Sequence, residues 1–227
     1  MTEALQVAID GPASAGKSTV AKLVAKKFGY VYCDTGAMYR AITVAALEAK
    51  VDLTDDSAVT NIAQQTLIKF LPGDPVQRVF IGDQEITEAI RQPEITNNVS
   101  TVAAIGAVRE ELVKQQQIIA DQGGIVMDGR DIGTTVLPNA DVKVFMIASA
   151  HERALRRYHE NIAKGITTPL DKLQAEIELR DKKDSTRKVS PLKQADDAIL
   201  LDTTKLNINQ VVEAISEIIR KKQDELR

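Results

Sequence analysis

Gly11-Pro12-Ala13-Ser14-Ala15-Gly16-Lys17-Ser18 is the stretch whose reading decides the fold of this 227-residue chain. It fills every fixed position of the pattern G-x-x-x-x-G-K-[ST]. The apolar run Leu5–Ile9 precedes it, and Val20, Leu23, Val24 and Phe28 follow at the spacing of one helical face. The pattern therefore lies between a strand and a helix, the context in which it cradles polyphosphate. Glycine at 11 and 16 lets the backbone turn its N–H groups inward around phosphate oxygens, where a side chain would clash or forbid the dihedrals. The N-terminus of the helix adds partial positive charge. Lys17 is expected to reach the β- and γ-phosphates of a nucleoside triphosphate as a mobile cation, and the Ser18 hydroxyl to ligate magnesium.

Outward from the loop, strands and helices alternate. Tyr30–Cys33 reads as a second strand ending at Asp34-Thr35-Gly36, and Ala37–Lys50 as an alanine-rich helix. Thr54-Asp55-Asp56 reads as a helix start, with Ala58, Val59, Ile62 and Ala63 on the apolar face. From Thr66 the period changes. Leu67–Leu71, Val76–Ile81 and Glu85-Ile86 are separated by the turn compositions Pro72-Gly73-Asp74-Pro75 and Gly82-Asp83-Gln84. They predict a small antiparallel meander inserted at about 66–86, or else an extension of the main sheet edge.

A short helical stretch leads to Val99-Ser100, and Ala104–Asp121 is a long helical pattern stopped by Gly123-Gly124. Ile125-Val126-Met127 then delivers Asp128-Gly129-Arg130-Asp131 from the end of an apolar strand. Val142–Ala148 is a further strand, about 150–164 and Leu170–Lys183 are charged helices, and Ala198–Leu201 is a last strand of buried type. Asn207 with Gln210 forms a capping box that opens a helix whose Ile208, Val211, Val212, Ile215, Ile218 and Ile219 face the core. The alternation predicts an α/β fold, a mostly parallel sheet covered by helices on both faces. Ligands of such sheets collect at the carboxyl ends of the strands. The polar stretches at 11–18, 34–36 and 128–131 all follow strands and are expected to meet at one crevice.

Composition narrows the function. A net charge of -3 gives no basic field to hold a nucleic-acid polymer. No run approaches the about 18 apolar residues of a membrane span. One cysteine, Cys33, cannot form an internal disulfide and reads as a small buried hydrophobe, and the first residues lack a secretory pattern, so a reducing cytoplasm is expected. His151 and His159, eight residues apart, do not make a close metal pair.

The arginines bear on whether a bound triphosphate is hydrolysed or passes its terminal group to an acceptor. An enzyme joining two phosphorylated molecules needs guanidiniums beyond the loop to offset the acceptor's charge. Arg40, Arg109 and Arg130 fall near strand ends, and Arg153, Arg156, Arg157, Arg180 and Arg187 in the charged region downstream. Each of the downstream group also reads as part of a solvated helix face. Asp128 reads either as the strand-end aspartate that organises magnesium or as a turn or capping residue. Asp34 has the same two readings.

Four blocks together resemble the bacterial cytidylate kinase family: Gly-Pro-Ala-Ser-Ala-Gly-Lys-Ser at 11–18, Asp-Thr-Gly-Ala-Met-Tyr-Arg at 34–40, Asp-Gly-Arg-Asp-Ile-Gly-Thr at 128–134 and Arg-Asp-Lys-Lys-Asp-Ser-Thr-Arg at 180–187. The first block marks only a large superfamily; the later three are far more specific. The resemblance implies transfer of the γ-phosphoryl group of ATP to CMP or dCMP with Mg2+; a monomer is expected. It also implies a P-loop NTPase fold with five parallel core strands at about 1–34, 104–150 and 188–227. A nucleoside-monophosphate module at about 35–103 would carry the small sheet, and a lid would lie at about 151–187.

Under the same resemblance ATP is held by Gly11, Pro12, Ala13, Ser14, Ala15, Gly16, Lys17, Ser18 and Thr19. Arg40 and Arg130 hold the CMP phosphate, Ser100, Arg109, Asp131 and Arg187 surround cytosine, and Arg180 and Asp184 lie at the pentose. Thr35 belongs to the same acceptor set, standing where many relatives carry serine. Arg153 and Arg157 are lid candidates that, with Lys17, Asp128 and Arg130, make up the catalytic group. Cytosine pairs an exocyclic amino donor with ring acceptors, so a carboxylate opposite the amine rejects uracil, whose oxygen faces it there.

Two other readings remain at this point. A kinase for another acceptor, of the UMP, AMP or shikimate type, shares the loop, although adenylate kinases usually carry Asp-Gly-Phe-Pro-Arg where this chain has Asp-Gly-Arg-Asp. A nucleotide switch lacks support: no Asn/Thr-Lys-x-Asp segment is present, and Asp121-Gln122-Gly123-Gly124 precedes a strand instead of following one.

Overall fold

The computed structural model describes residues 4–71, 73, 77–163 and 165–227. Pro72, Asp74 and Pro75 of the expected turn, the strand start at Val76 and the helix end at Lys164 lie outside the described residues. In chain order the first elements are β1 (Gln6–Asp10), α1 (Lys17–Phe28), β2 (Val31–Asp34), α2 (Thr35–Glu48), α3 (Asp56–Gln65), β3 (Ile68–Leu71), β4 (Arg78–Ile81) and β5 (Gln84–Glu85). They are followed by α4 (Pro93–Val102), α5 (Gly106–Ala120), β6 (Ile125–Gly129), β7 (Val142–Ile147), α6 (Ala150–Ala163), α7 (Leu170–Thr186), β8 (Ile199–Asp202) and α8 (Ile208–Glu225). The chain forms two compact units, one of residues up to Tyr32 with Ala120–Arg227 and one of Cys33–Ile119.

The first unit is built on a five-stranded sheet in the order β2-β6-β1-β7-β8. β1 pairs in parallel with β6 and with β7, and β7 with β8. Val7, Ala8 and Ile9 are all fully buried, as central parallel strands covered on both faces must be. The expectation that the last strand is of buried type is corrected. β8 runs along the sheet edge, where Ile199 and Leu200 stay about half exposed. Val20, Ala21, Val24 and Ala25 of α1 pack on Val7, Ile9, Val126 and Val144. The small Ala21 and Ala25 shift the buried stripe away from Leu23, which is exposed against expectation. α8 adds Val211, Ile215 and Ile219 to the same core, and Ile208, in the first turn, stays exposed instead. Its capping box forms as read: Gln210 N donates to Asn207 Oδ1 at 3.0 Å, and Asn207 N donates to Gln210 Oε1 at 2.9 Å.

The second unit packs around α2, whose Ala37, Met38, Ala41, Ile42 and Ala46 are buried. The helix begins two residues before Ala37 because the Asp34 carboxylate accepts from Ala37 N at 2.9 Å, an N-cap. β3, β4 and β5 form a separate three-stranded antiparallel sheet, with Ile68 opposite Ile81 and Phe80 opposite Glu85. The meander is therefore an insertion and not an extension of the main sheet edge. Cys33 is buried, as expected of a small hydrophobe.

Candidate active site

The loop after β1 occupies backbone conformations that its composition allows. Gly11 has φ 148°, and a Cβ there would collide with the Met146 carbonyl of β7. Gly16 at φ 86° and Ser14 at φ 58° lie in the left-handed region, which curls successive peptides into a concave row. Lys17, at the start of α1, is 5% exposed, and its ammonium donates to the loop's own Pro12 carbonyl at 2.7 Å. Burial, reinforced by the nearby Arg130 guanidinium, holds the Lys17 pKa well below the ordinary lysine range, against the pull of Asp128 and Asp10. An ammonium in this position gains more than a solvated one when a polyphosphate arrives.

Ser18 faces the end of β6. Its hydroxyl donates to Asp128 Oδ2 at 2.7 Å, while the Tyr32 hydroxyl donates to Oδ1 at 2.9 Å. A hydroxyl and a buried carboxylate side by side are hard oxygen donors. Among the described residues no group of three His, Cys, Asp or Glu could hold a metal by itself. Such sparse donors fit magnesium, which retains waters and shares its ligands with phosphates. The reading of Asp128 as a plain cap or turn residue has no support in these contacts.

Beyond β6 the chain makes a π-helical turn over Ile132–Val136. Asp10, the last residue of β1, fixes its start: the carboxylate accepts from Ile132 N at 2.8 Å and Gly133 N at 2.7 Å. Burial pushes the Asp10 pKa from 3.8 up to about 6, although these two N–H groups and Lys17 favour the anion. A side chain at 133 would press on Lys143, whose ammonium is fixed by Asp197 at 2.7 Å.

The helix α7 supplies the opposing groups. Leu173 and Ile177 pack on Ala154 of α6, and the same face continues at the next turns through Arg180 and Asp184. Arg130 Nε donates to Asp184 Oδ2 at 2.9 Å, and Arg187 Nη2 to Asp131 Oδ1 at 3.4 Å. Two arginine and carboxylate pairs are thus formed from residues expected to touch CMP. Arg153 of α6 is buried, donating to Ala148 O and Ala13 O at 2.9 Å each and to Asp181. Arg156 donates to Thr203 O at 2.7 Å, whereas Arg157, half buried, makes no hydrogen bond or ion pair among the described residues. Thr19 is exposed beside the loop, and both histidines are exposed.

In the second unit Arg40 pairs with Asp34 at 2.8 Å, one and a half turns along α2 from the cap. Thr35 is buried in the first turn of that helix. Arg109 of α5 is 2% exposed, with its guanidinium 4.9 Å over the Tyr39 ring and donating to Ala103 O at 3.2 Å. Ser100 lies in the last turn of α4, partly exposed.

Asp10, Tyr32 and Asp181 escaped the sequence reading. Asp10 and Tyr32 carried one available signal, a polar residue within or at the end of a strand beside a phosphate loop. Asp181 sits between two expected site residues on a charged helix and offers no distinguishing mark.

A parallel sheet with a phosphate loop after one central strand, and a carboxylate beside the loop serine at the end of the neighbouring strand, defines a nucleoside-triphosphate-binding protein of the P-loop class. The family model for cytidylate kinase matches residues 7–221. A cytidylate kinase from Limosilactobacillus reuteri is 68% identical over 227 residues, covering 100% of both chains. One from Lactiplantibacillus plantarum is 66% identical over 221 residues, covering 97% of each. Among solved structures, a gluconokinase from Sinorhizobium meliloti shares the fold at TM-score 0.51 and 13% identity, over 98% of this chain and 95% of that one. The chain belongs to the cytidylate kinase family.

Proposed function

We propose that the chain moves the γ-phosphoryl group of ATP to CMP or dCMP, giving ADP and CDP or dCDP, with magnesium. The observation that carries this reading is the family match across residues 7–221, in a chain whose loop lysine, serine and strand-end aspartate are already assembled. An oxygen of the acceptor phosphate attacks the γ-phosphorus, and the bond to the β-phosphate oxygen breaks. No covalent bond to the protein is needed, so the chain contributes position and charge.

The loop from Gly11 to Thr19 grips the ATP phosphates, and Lys17 leaves the Pro12 carbonyl to follow the γ-phosphoryl group. Ser18 and Asp128 would hold magnesium, which offsets charge on the β- and γ-phosphate oxygens when bound. Arg40 and Arg130 take the acceptor phosphate, exchanging Asp34 and Asp184 for it. Ser100, Arg109, Asp131 and Arg187 read cytosine; Thr35, Arg180 and Asp184 complete the acceptor contacts. Arg157, without a partner among the described residues, is the better placed of the two lid arginines to turn toward the transferring group.

The working form is taken to be a monomer in the cytoplasm, and a sole, buried cysteine is in keeping with a reducing compartment. Among the described residues no helix is long and apolar enough to cross a membrane. A coupled assay of ADP release with CMP, dCMP, UMP, AMP and GMP tests the reading. Acceleration by the two cytidine monophosphates above the rest supports it, and equal rates with AMP or no acceptor would overturn it.

A further inference from the structure

The crest of the phosphate loop is held by residues from the charged helices. Asp181 of α7 accepts from Ala13 N at 3.0 Å, and Arg153 of α6 donates to Ala13 O at 2.9 Å. The two side chains are themselves ion-paired, and a second Arg153 nitrogen is committed to Ala148 O. Ala13 is thereby gripped on both its N–H and its C=O. The two contacts hold the peptides on either side of Ala13, and the second of these is the plane from which φ of Ser14 is turned. That angle, 58°, is one an L side chain rarely adopts and holds only when neighbours over-determine it. It also begins the curl that aims the following N–H groups inward. A pair serving only to join α6 to α7 has no need to touch Ala13, since Ala154, Leu173 and Ile177 already pack those helices together.

We infer that Asp181 and Arg153 act as one brace on the Ala13 peptide, making Asp181 a positioning residue for the ATP phosphates. The inference rests on the reading of this loop as the ATP site. It also gives Arg153 a fixed role in the ligand-free protein, separate from the mobile one expected of a lid arginine. The brace couples the two helices to the donor site, so that any displacement of α7 reshapes the loop.

The experiment compares the wild-type protein with Asp181→Asn, Arg153→Gln and the double variant. KM for ATP at saturating CMP, KM for CMP at saturating ATP, and calorimetric affinity for a non-hydrolysable ATP analogue are measured on each. Each single change is expected to weaken ATP and analogue binding roughly tenfold, the scale of one charge-assisted hydrogen bond. KM for CMP should stay within about twofold, because the bonds of the brace are made to Ala13 and Ala148 and between its own two side chains. The double variant should be no weaker than the worse single one, because the two groups act as a unit.

Unchanged ATP affinity in the single variants, multiplied effects in the double, or an equal rise in KM for CMP would each overturn the inference. If Arg153→Gln fails to fold, Asp181→Asn carries the test, since its carboxamide can still accept from Ala13 N while the ion pair is lost; Asp181→Glu then checks rescue. Failure of the wild-type protein to bind the analogue would instead sink the ATP reading itself.

Discussion

Asp10 makes the fold of the first unit depend on pH in a direction opposite to most carboxylates. Its pKa is raised from 3.8 to about 6, chiefly by burial. A group whose pKa is higher in the folded state binds its proton more tightly there. Its contribution to stability is fully present below 3.8 and is lost as pH rises through about 6. Between about pH 7.5 and pH 4.5, linkage gives a gain of about 2 kcal/mol from this single group, out of about 3 kcal/mol for the full shift. Asp10→Asn abolishes that titration. It also leaves one of the two N–H groups at Ile132 and Gly133 facing a carboxamide N–H, at a pH-independent cost of about 1–3 kcal/mol. Urea unfolding of both proteins at the two pH values isolates the effect, because every other titrating group is common to them. The stability gap in favour of the wild type should widen by about 2 kcal/mol at the lower pH. A gap that is constant, or that narrows on acidification, would refute the assignment of a raised Asp10 pKa.

Three further outcomes are expected. Lys17→Met removes a buried ammonium whose pKa is held below its ordinary value, so thermal unfolding should show equal or higher stability. Its turnover should nonetheless fall at least about a thousandfold, the scale of losing a charge aimed at the transferring group. Asp131→Ala should reduce the preference for CMP over UMP by roughly tenfold to a hundredfold, read as a ratio of kcat/KM values. Asn207→Ala removes the capping box of α8 and should cost about 1 kcal/mol, or about 2–4 °C in Tm, with catalytic constants unchanged.

The parts of the fold that follow from local rules were legible in the sequence. The loop glycines, the Asn207 cap and the apolar strands β1 and β6 each declare themselves within a window of ten residues. The change of period after Thr66 marked the inserted sheet but left its attachment open, because pairing partners are not a local property. Small residues misled: Ala21 and Ala25 turned α1 so that Leu23 faces outward, and the edge position of β8 exposed residues that looked like core. The expected site residues came from motif, whereas the pairing among them came only from the structure. Asp10 meets Ile132 across 122 positions and Asp181 meets Ala13 across 168, and no spacing rule reaches that far. The same limit applied to the arginines. Nothing in the run Arg153 to Arg157 distinguished the one that is tied to the loop from the one that makes no hydrogen bond or ion pair among the described residues.

The central claim is that the terminal phosphoryl group of ATP passes directly to a cytidine monophosphate. ATP labelled in its γ-phosphate, incubated with CMP, magnesium and the purified protein, tests it by chromatographic separation of the products. The label is predicted to appear in the β-phosphate of CDP as fast as ADP is formed. Label recovered as inorganic phosphate, or retained in ATP while CMP is present, would contradict it.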